Sequence, residues 1–424
     1  MKYSVPTPTL AFVLSALATT TACLVGNPAQ AQSIDPVVLS FSTVGDSRQD
    51  PVKADATTLP LSAQDYHWLQ NSKAWSRIMR EITSKKSSLL FFNGDMIMGY
   101  GNASAPAATD INTVLTSDLV RTYTQYAFWR GMVAPLIEAG TYVVPVPGNH
   151  ETQCKAGKLT SPAGITAAVT SATTWANVTC QDMNGASMTK GAMKVNEDAW
   201  RANMGDLIID SSRLNAVLPN GLTVTNANTA DNAAADSLPT SQSQLSYSFD
   251  VGNSHFAVIN TDPTGADGTT PTNWLAADMA AAQSRGAAHY FVFGHKPAFT
   301  YYYPGATVGG LDATAPISKR DAFWTVIESY GATYFTGHEH TFNMRQPVKT
   351  DGTTSTAYQV LVGSGGSPFD YASTTLQPGQ SPSDRMYAYA NVKVFQSGKV
   401  QIDAYGFNDA FGPTKLIQSA VLAH

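Results

Sequence analysis

Two histidines stand two residues apart in Gly337-His-Glu-His340, just after a short β-rich run over residues 332–335. A glycine at the end of a strand lets the backbone turn sharply and lifts the next side chain above the sheet edge. Four fragments of the same build come earlier in the chain: Gly45-Asp46, Gly94-Asp95, Gly148-Asn-His-Glu151 and Gly294-His295. In order they offer a carboxylate, a carboxylate, an amide with an imidazole, an imidazole, and two imidazoles. Mixed oxygen and nitrogen donors of this kind suit Fe, Mn or Zn better than Ca or Mg alone. Four of the eight histidines fall in these turns, a concentration that is hard to attribute to chance. Taken singly, each fragment has a plainer meaning. An Asp after a Gly caps a turn as readily as it binds a cation, and two nearby histidines are common on surfaces. The order and company of the five carry the argument.

Something must bring five distant turns together. Residues 37–44 and 87–92 read as short buried strands, rich in β-branched and aromatic residues. Residues 65–85 carry Trp68, Leu69, Ala74, Trp75, Ile78, Met79 and Ile82 at helical spacing. Residues 117–138 form a second helix, with Leu119, Tyr123, Tyr126, Met132 and Leu136 on its inner face and Gly140 ending it. A third strand follows at 142–146. Strand, helix, strand, helix, strand implies parallel strands joined by helical crossovers. Each polar cluster lies just past a strand's C-terminal end, where open α/β sheets bind ligands. Further on, 247–251 and 255–260 make a hairpin around Gly252-Asn253. Strands at 289–293, 332–335 and 358–362 and helices at 272–285 and 318–330 continue the pattern. Residues 387–395 and 399–407 close the chain as a second hairpin. From about 152 to 245 the rhythm is lost in an Ala/Thr/Asn/Ser-rich stretch, read as a cap inserted over the site with one helix at 197–209.

The five clusters resemble the calcineurin-like metallophosphoesterase superfamily, which includes the purple acid phosphatases. The resemblance spans about residues 37–345 and rests most on Gly-Asn-His-Glu and Gly-His-X-His; the stretch Tyr247-Ser-Phe-Asp-Val-Gly-Asn-Ser-His-Phe256 adds to it. It implies a two-sheet α/β sandwich in four layers, αββα, with two transition-metal ions at its strand ends. Asp95 would bridge the ions, Asp46 and His340 would hold the first, and Asn149, His295 and His338 the second. His150 would stand beside the phosphate as proton donor or charge stabiliser, with Glu151 orienting His150 or a ligand. Two such cations lower the pKa of a shared water and aim it at phosphorus. The implied activity is hydrolysis of phosphomonoesters or small phosphodiesters, nucleotides and cyclic nucleotides included.

The chain departs from that pattern at one point. Family members often carry Asp-X-His in the first cluster, and here the third residue is Arg48, which has no lone pair to give. The tyrosine that purple acid phosphatases place three residues after the bridging Asp is Met98, and Tyr100 sits at a different spacing. Arg48 either clamps a phosphate oxygen with its forked donors or pairs with a nearby carboxylate. If the first site were lost altogether, the protein would be a one-ion binder without turnover. Of the other histidines, His67, His255 and His289 read as packing or hydrogen-bonding residues. Tyr301, Tyr302 and Tyr303 either line the way to the site or pack.

Composition sets the wider frame. At 424 residues and 43% hydrophobic, the chain buries a large core as one catalytic domain, residues 32–424, with no internal repeat. A formal charge of −5 and no Lys/Arg run argue against a nucleic-acid polymer as partner; a small phosphorylated substrate is the partner implied. Residues 1–31 read as a cleaved signal peptide: Lys2, an apolar run at 10–18 too short to span a bilayer, and Ala29-Gln-Ala31 before the cut. Thr20 and Thr21 before Cys23 disfavour the lipoprotein alternative. The protein is then periplasmic or secreted, and Cys154 and Cys180 remain as an even pair for one disulfide.

Overall fold

The structure is a computed structural model that describes residues 35–49, 68–107, 110–158, 177–231, 233–301, 309–314, 316–369 and 386–422. The expected signal peptide, Cys23, His67, Tyr302 and Tyr303 lie outside these residues. The chain opens with β1 (Val37–Val44), α1 (Trp68–Lys85) and β2 (Leu89–Phe92), then, after a short helical turn at Ile111–Leu115, α2 (Asp118–Glu138) and β3 (Tyr142–Pro145). The one-turn helix α3 (Asn149–Thr152) follows, then α4 (Lys194–Met204), α5 (Ser211–Val217) and β4 (Val224–Thr229). The second half contains β5 (Tyr247–Val251), β6 (Ser254–Ile259), α6 (Thr272–Ser284), β7 (His289–Gly294), α7 (Ser318–Ser329), β8 (Thr333–Thr336), β9 (Phe342–Arg345) and β10 (Gln359–Val362). It ends in β11 (Tyr387–Phe395), β12 (Val400–Phe407) and β13 (Lys415–Leu422).

These strands form two sheets, ordered β13-β12-β11-β1-β2-β3 and β4-β5-β6-β7-β8-β10-β9. Parallel pairing runs through β1-β2-β3 in one and β6-β7-β8-β10 in the other. Their C-terminal edges carry all five clusters.

The sheets face each other across a dry aromatic core. Phe41 meets the rings of Phe91, Phe256 and Phe291 edge-on at 5.5, 5.4 and 4.9 Å, while Phe91 stacks on Phe293 at 3.7 Å. Each fully buried ring of this kind stabilises the fold by roughly 1.5–3 kcal/mol. Outside the first sheet, Trp75, Ile78 and Ile82 of α1 pack with Tyr126, Trp129 and Val133 of α2. Outside the second, Leu275 and Met279 of α6 pack with Phe323, Trp324 and Ile327 of α7. The result is the expected four-layer αββα sandwich.

Two local readings need correction. The buried stripe of α2 is Thr122, Gln125, Tyr126, Trp129, Val133 and Leu136, and Tyr123 is exposed. Trp129 sets that rotation by stacking parallel to Trp75 at a centroid distance of 6.5 Å. Strands β4, β9 and β13 have no counterpart in the expected element list. All three are sheet edges, and β4 and β13 leave most side chains in solvent, so neither shows the apolar pattern of a central strand.

Within 152–245, three short ribbons pair Gln153–Lys155 with Lys190–Ala192, Gly157–Lys158 with Asn177–Val178, and Cys180–Gln181 with Ser187–Met188. The expected Cys154–Cys180 disulfide ties them, with Cα atoms 5.7 Å apart. Helix α4 packs Trp200 into the helical layer on the first sheet. Among the described residues no helix is long and apolar enough to cross a membrane.

Candidate metal centre

The turns after β1, β2, β3, β7 and β8 interlock through their backbones before any side chain is counted. Asp46 N–H donates to Gly94 C=O at 2.9 Å, Arg48 N–H to Asp95 C=O at 2.9 Å, and Gly337 N–H to His295 C=O at 2.9 Å. Asp46, Asp95 and His338 have φ of 65°, 55° and 76°, a left-handed conformation uncommon outside glycine. Strain of that kind persists only where surroundings over-determine it, and here it lifts three donor side chains to one point. Gly337 and Gly148 permit the approach. A Cβ at Gly337 would run into the Asp46 carboxylate, and one at Gly148 into that of Asp95.

Four lone-pair-bearing atoms converge on one side. His295 Nε2 lies 2.9 Å from Asn149 Oδ1 and 3.1 Å from Asp95 Oδ1. His338 Nδ1 lies 2.8 Å from Asn149 Oδ1 and 3.2 Å from His295 Nε2. Ligands bonded at about 2.0–2.1 Å around a tetrahedral ion would stand about 3.3 Å apart, so this cluster has the dimensions of a slightly contracted cation site. The tautomer of His295 is fixed from behind: its Nδ1–H donates to Asn93 C=O at 2.7 Å, leaving the Nε2 lone pair facing inward. Asn149 is oriented the same way, because its Nδ2 donates to the Tyr100 hydroxyl and turns Oδ1 toward the two imidazoles.

The other side is sparser. His340 Nδ1–H donates to Pro368 C=O at 2.7 Å, and its Nε2 lies 3.7 Å from Asp46 Oδ1. Asp46 is fully buried and accepts the His338 N–H at 3.0 Å. Arg48, half-buried, holds Ser367 Oγ through Nε at 3.1 Å and places Nη2 3.2 Å from His340 Nδ1. Both of those nitrogens carry protons, so the guanidinium and imidazole are packed neighbours rather than hydrogen-bonded partners. Asp46, Asp95 and His295 can each turn one ligand atom to within 4.8 Å of the others.

Glu151 explains how the turns are held. Its buried carboxylate accepts N–H groups from Asp95 (2.8 Å), Met96 (2.8 Å), Ile97 (3.2 Å) and Gly148 (2.8 Å). It clamps the Asp95 turn to the Asn149 turn and leaves the His150 ring alone. His150 is oriented instead by Met98 C=O, which accepts its Nδ1–H at 2.6 Å, and by Tyr100, whose ring lies 3.9 Å away. Its Nε2 stands 3.6 Å from Asp95 Oδ2. Tyr100 therefore supports Asn149 and His150; its spacing from Asp95 gave no hint of this, because the link is made in space.

The electrostatics describe a site short of positive charge. Burial pushes Asp46 well above the usual carboxylate range, despite the opposing charge of His295. Burial also works against Asp95, but the charges of His150 and His295 outweigh it and hold that group low. Burial opposes a charge on His295, yet Asp95 and Asp46 draw a proton onto it and raise it to about 10. Burial drops His150 to about 3. Burial, then the charges of His295, Lys296 and Lys190, hold His338 well below its ordinary value. Burial and the Arg48 charge do the same to His340. A proton on His295 is thus the cation the carboxylates can recruit unaided, and a metal ion would replace it.

The remaining expected residues lie elsewhere. His255 is buried on the far side of the second sheet between Asp250 and Asp278, and His289 is buried on β7. Tyr301 donates its N–H to Glu339 Oε2 at 2.7 Å, and the Arg345 guanidinium lies 5.2 Å from its ring centre. Two features had no sequence signal: a buried Lys296–Asp262 ion pair immediately behind His295, and lysines from the disulfide-tied ribbons beside Tyr100.

No protein-family model and no curated protein matches the chain. Among solved structures it is similar to purple acid phosphatase PPD1 from yellow lupin (Lupinus luteus) seeds, at 12% identity and a TM-score of 0.50. The match covers 90% of this chain and 53% of that one, so the chain spans about half that phosphatase's length. A dimetal phosphatase from Danio rerio matches at 11% identity and a TM-score of 0.39, over 91% of this chain and 99% of the other. At such identities the likeness speaks to architecture alone: the chain shares the fold of the lupin purple acid phosphatase.

Proposed function

We propose that this protein is an exported hydrolase of phosphate esters whose water is activated at a centre of two transition-metal ions, Fe, Mn or Zn. The observation that carries this reading is the convergence of His295 Nε2, Asn149 Oδ1, Asp95 Oδ1 and His338 Nδ1, with neighbouring atoms 2.8–3.2 Å apart. Buried oxygens and imidazole nitrogens crowded in this way need positive charge among them, which the His295 proton supplies until a metal ion takes its place. The donor set fits such an ion on that side. Asp46, Asp95 and His340 offer fewer donors on the other, where Arg48 takes up space.

In this reading Asp95 would serve both ions, Asn149, His295 and His338 would hold one, and Asp46 and His340 would hold its neighbour. The bound cations supply Lewis acidity, lowering the pKa of water and neutralising the ester's charge. The chain does the rest. Arg48 offers N–H donors to a phosphate oxygen. His150, kept neutral by burial, has its Nδ1 proton committed to Met98, so its Nε2 faces the centre. A bound phosphate anion favours protonation there, which makes His150 a charge stabiliser or the donor to the leaving oxygen. Overall, the water oxygen bonds phosphorus, the P–O bond to the leaving group breaks, and a proton passes to that leaving oxygen. The substrate is a small phosphomonoester, nucleotides included, or a small phosphodiester such as a cyclic nucleotide. Export is supported by the Cys154–Cys180 bridge, which persists in oxidising compartments.

The sparser first site favours a second reading, a one-ion binding protein without turnover. Metal analysis with an aryl phosphate assay separates the two. Two ions with turnover that chelation abolishes supports the hydrolase; one ion without turnover supports the binder.

A further inference from the structure

Lys155 and Lys190 face each other in register across the ribbon formed by Gln153–Lys155 and Lys190–Ala192. Like charges directly opposite on paired strands destabilise the pairing. Both ammonium groups reach over the same ring, lying 6.0 and 5.4 Å from the centre of Tyr100. Among the described residues neither lysine has a carboxylate within ion-pair distance, although the chain carries more acidic than basic groups. Lys296, the other ammonium group nearby, is already neutralised by Asp262.

The ribbon is fixed in place. Cys154 is bridged to Cys180, and Lys155 N–H donates to Tyr100 C=O at 3.1 Å. Ala192 N–H donates to Asp267 at 3.1 Å, and Gln153 Nε2 donates to Asp262 and Asp267 at 3.2 and 3.0 Å. Tyr100 in turn touches the centre directly, stacking on His150 and accepting the Asn149 amide. Two unneutralised cations are thus held one side chain away from the candidate ligands.

We infer that Lys155 and Lys190 form a second anion subsite that binds the leaving-group phosphate of a diphosphate substrate, such as inorganic pyrophosphate or a nucleoside diphosphate. This deepens the hydrolase reading and rests on it. The terminal phosphorus accepts the water oxygen, the P–O bond to the bridging oxygen breaks, and one water proton ends on that oxygen or its phosphate. The lysines stabilise the charge that collects there, which an aryl leaving group does not present to them.

The test uses metal-loaded full-length protein, the wild type, Lys155→Gln/Lys190→Gln and the charge-keeping Lys155→Arg/Lys190→Arg. Initial rates are measured on p-nitrophenyl phosphate, inorganic pyrophosphate and ADP, and calorimetry measures pyrophosphate binding with and without metal. The Gln pair should lower the kcat/KM ratio of pyrophosphate or ADP to p-nitrophenyl phosphate at least tenfold, mainly through KM, and the Arg pair should restore most of it. A ratio unchanged in the Gln pair overturns the subsite. If the wild type turns over no ester, the hydrolase reading fails by itself. Pyrophosphate binding weakened tenfold in the Gln pair would then still support the anion subsite, and equal binding would overturn it.

Discussion

Two buried Asp–His clusters flank the second sheet, built from the same residue types, with opposite logic. At the far cluster, His255 Nδ1 lies 2.7 Å from Asp250 Oδ1, and Nε2 makes an ion pair with Asp278 Oδ2 at 3.1 Å. Arg285 pairs with the other Asp250 oxygen at 2.8 Å, and Asn226 and Asn228 donate to the two carboxylates at 2.9 and 2.8 Å. Opposite charges meet, so the cluster neutralises itself and is closed, even though His255 Nε2 and Asp278 Oδ2 are an ion pair without hydrogen-bond alignment. At the strand-end cluster, Asp95 Oδ1, Asn149 Oδ1, His295 Nε2 and His338 Nδ1 crowd together with the His295 proton as their shared positive charge, so it is open to a cation. A closed cluster holds a fold together, whereas an open one needs something from outside.

The contrast is broken most directly by a reciprocal pair of variants. Asp95→Asn keeps a residue tolerant of the left-handed backbone at φ 55° while removing the charge. It should cost on the order of 10²–10³ in kcat on an aryl phosphate, the scale of deleting one preorganised electrostatic group. Metal-free protein also loses the buried Asp95–His295 pair, so its melt should drop as well. His255→Gln should lower stability by roughly 3 kcal/mol, the cost of breaking a buried ion pair, while retaining metal and turnover. Thermal melts and metal analysis on both variants check this; a His255→Gln protein that loses its metal would erase the distinction.

Next in size is Glu151→Gln. The amide nitrogen cannot accept the N–H groups that one carboxylate oxygen now takes, so the Asp95 and Asn149 turns should loosen against each other. Supporting groups of this kind change metal affinity by about 10–100-fold, read by competition with a chelator. A normal affinity would show that the turns hold themselves.

Smaller again is the effect of Arg48. With its head half-buried, the low end of charge-assisted hydrogen bonding applies, so Arg48→Ala should raise KM for an aryl phosphate about tenfold with little change in metal content. Arg48→His should restore a lone pair and tighten the second equivalent of metal in a titration. Loss of metal in Arg48→Ala would mean that Arg48 props the first site instead of meeting substrate.

The open cluster was legible before any coordinates because its donors sit directly after strand-end glycines, where local sequence and position in the fold coincide. The sandwich was legible for the same reason, since β1 and β2 are interior strands and β1 to β3 are rich in β-branched and aromatic residues. What escaped is made by pairing in space. Tyr100 meets Asn149 only because the Gly94 and Gly148 turns are clamped together. Lys155 meets Lys190, 35 positions further along the chain, through a ribbon three residues long. The Tyr123 face of α2 was misplaced because Trp129 and Trp75, stacked across two helices, outweigh the apolar spacing within one.

The smallest expected effect is a pH slope, and it isolates the closed cluster from the open one. Burial opposes the charge on His255, but Asp250 and Asp278 outweigh it and hold the imidazole above its ordinary value. Burial likewise opposes the charges on Asp250 and Asp278, and His255 more than offsets it, holding both below theirs. For the imidazole, the stabilisation is complete below about pH 6.5, where the unfolded chain is also protonated, and is lost as pH rises through the higher folded value. For the carboxylates it is complete above about pH 3.9 and is lost as pH falls through the lower folded values. The stability difference between wild type and His255→Gln should therefore be greatest and flat from about pH 4 to 6.5 and shrink on both flanks. Taking the difference cancels the titrations of the strand-end cluster, which both proteins share. Urea unfolding of metal-free protein at several pH values measures it, and a difference that stays constant to pH 9 would mean that the His255 network stabilises through packing alone.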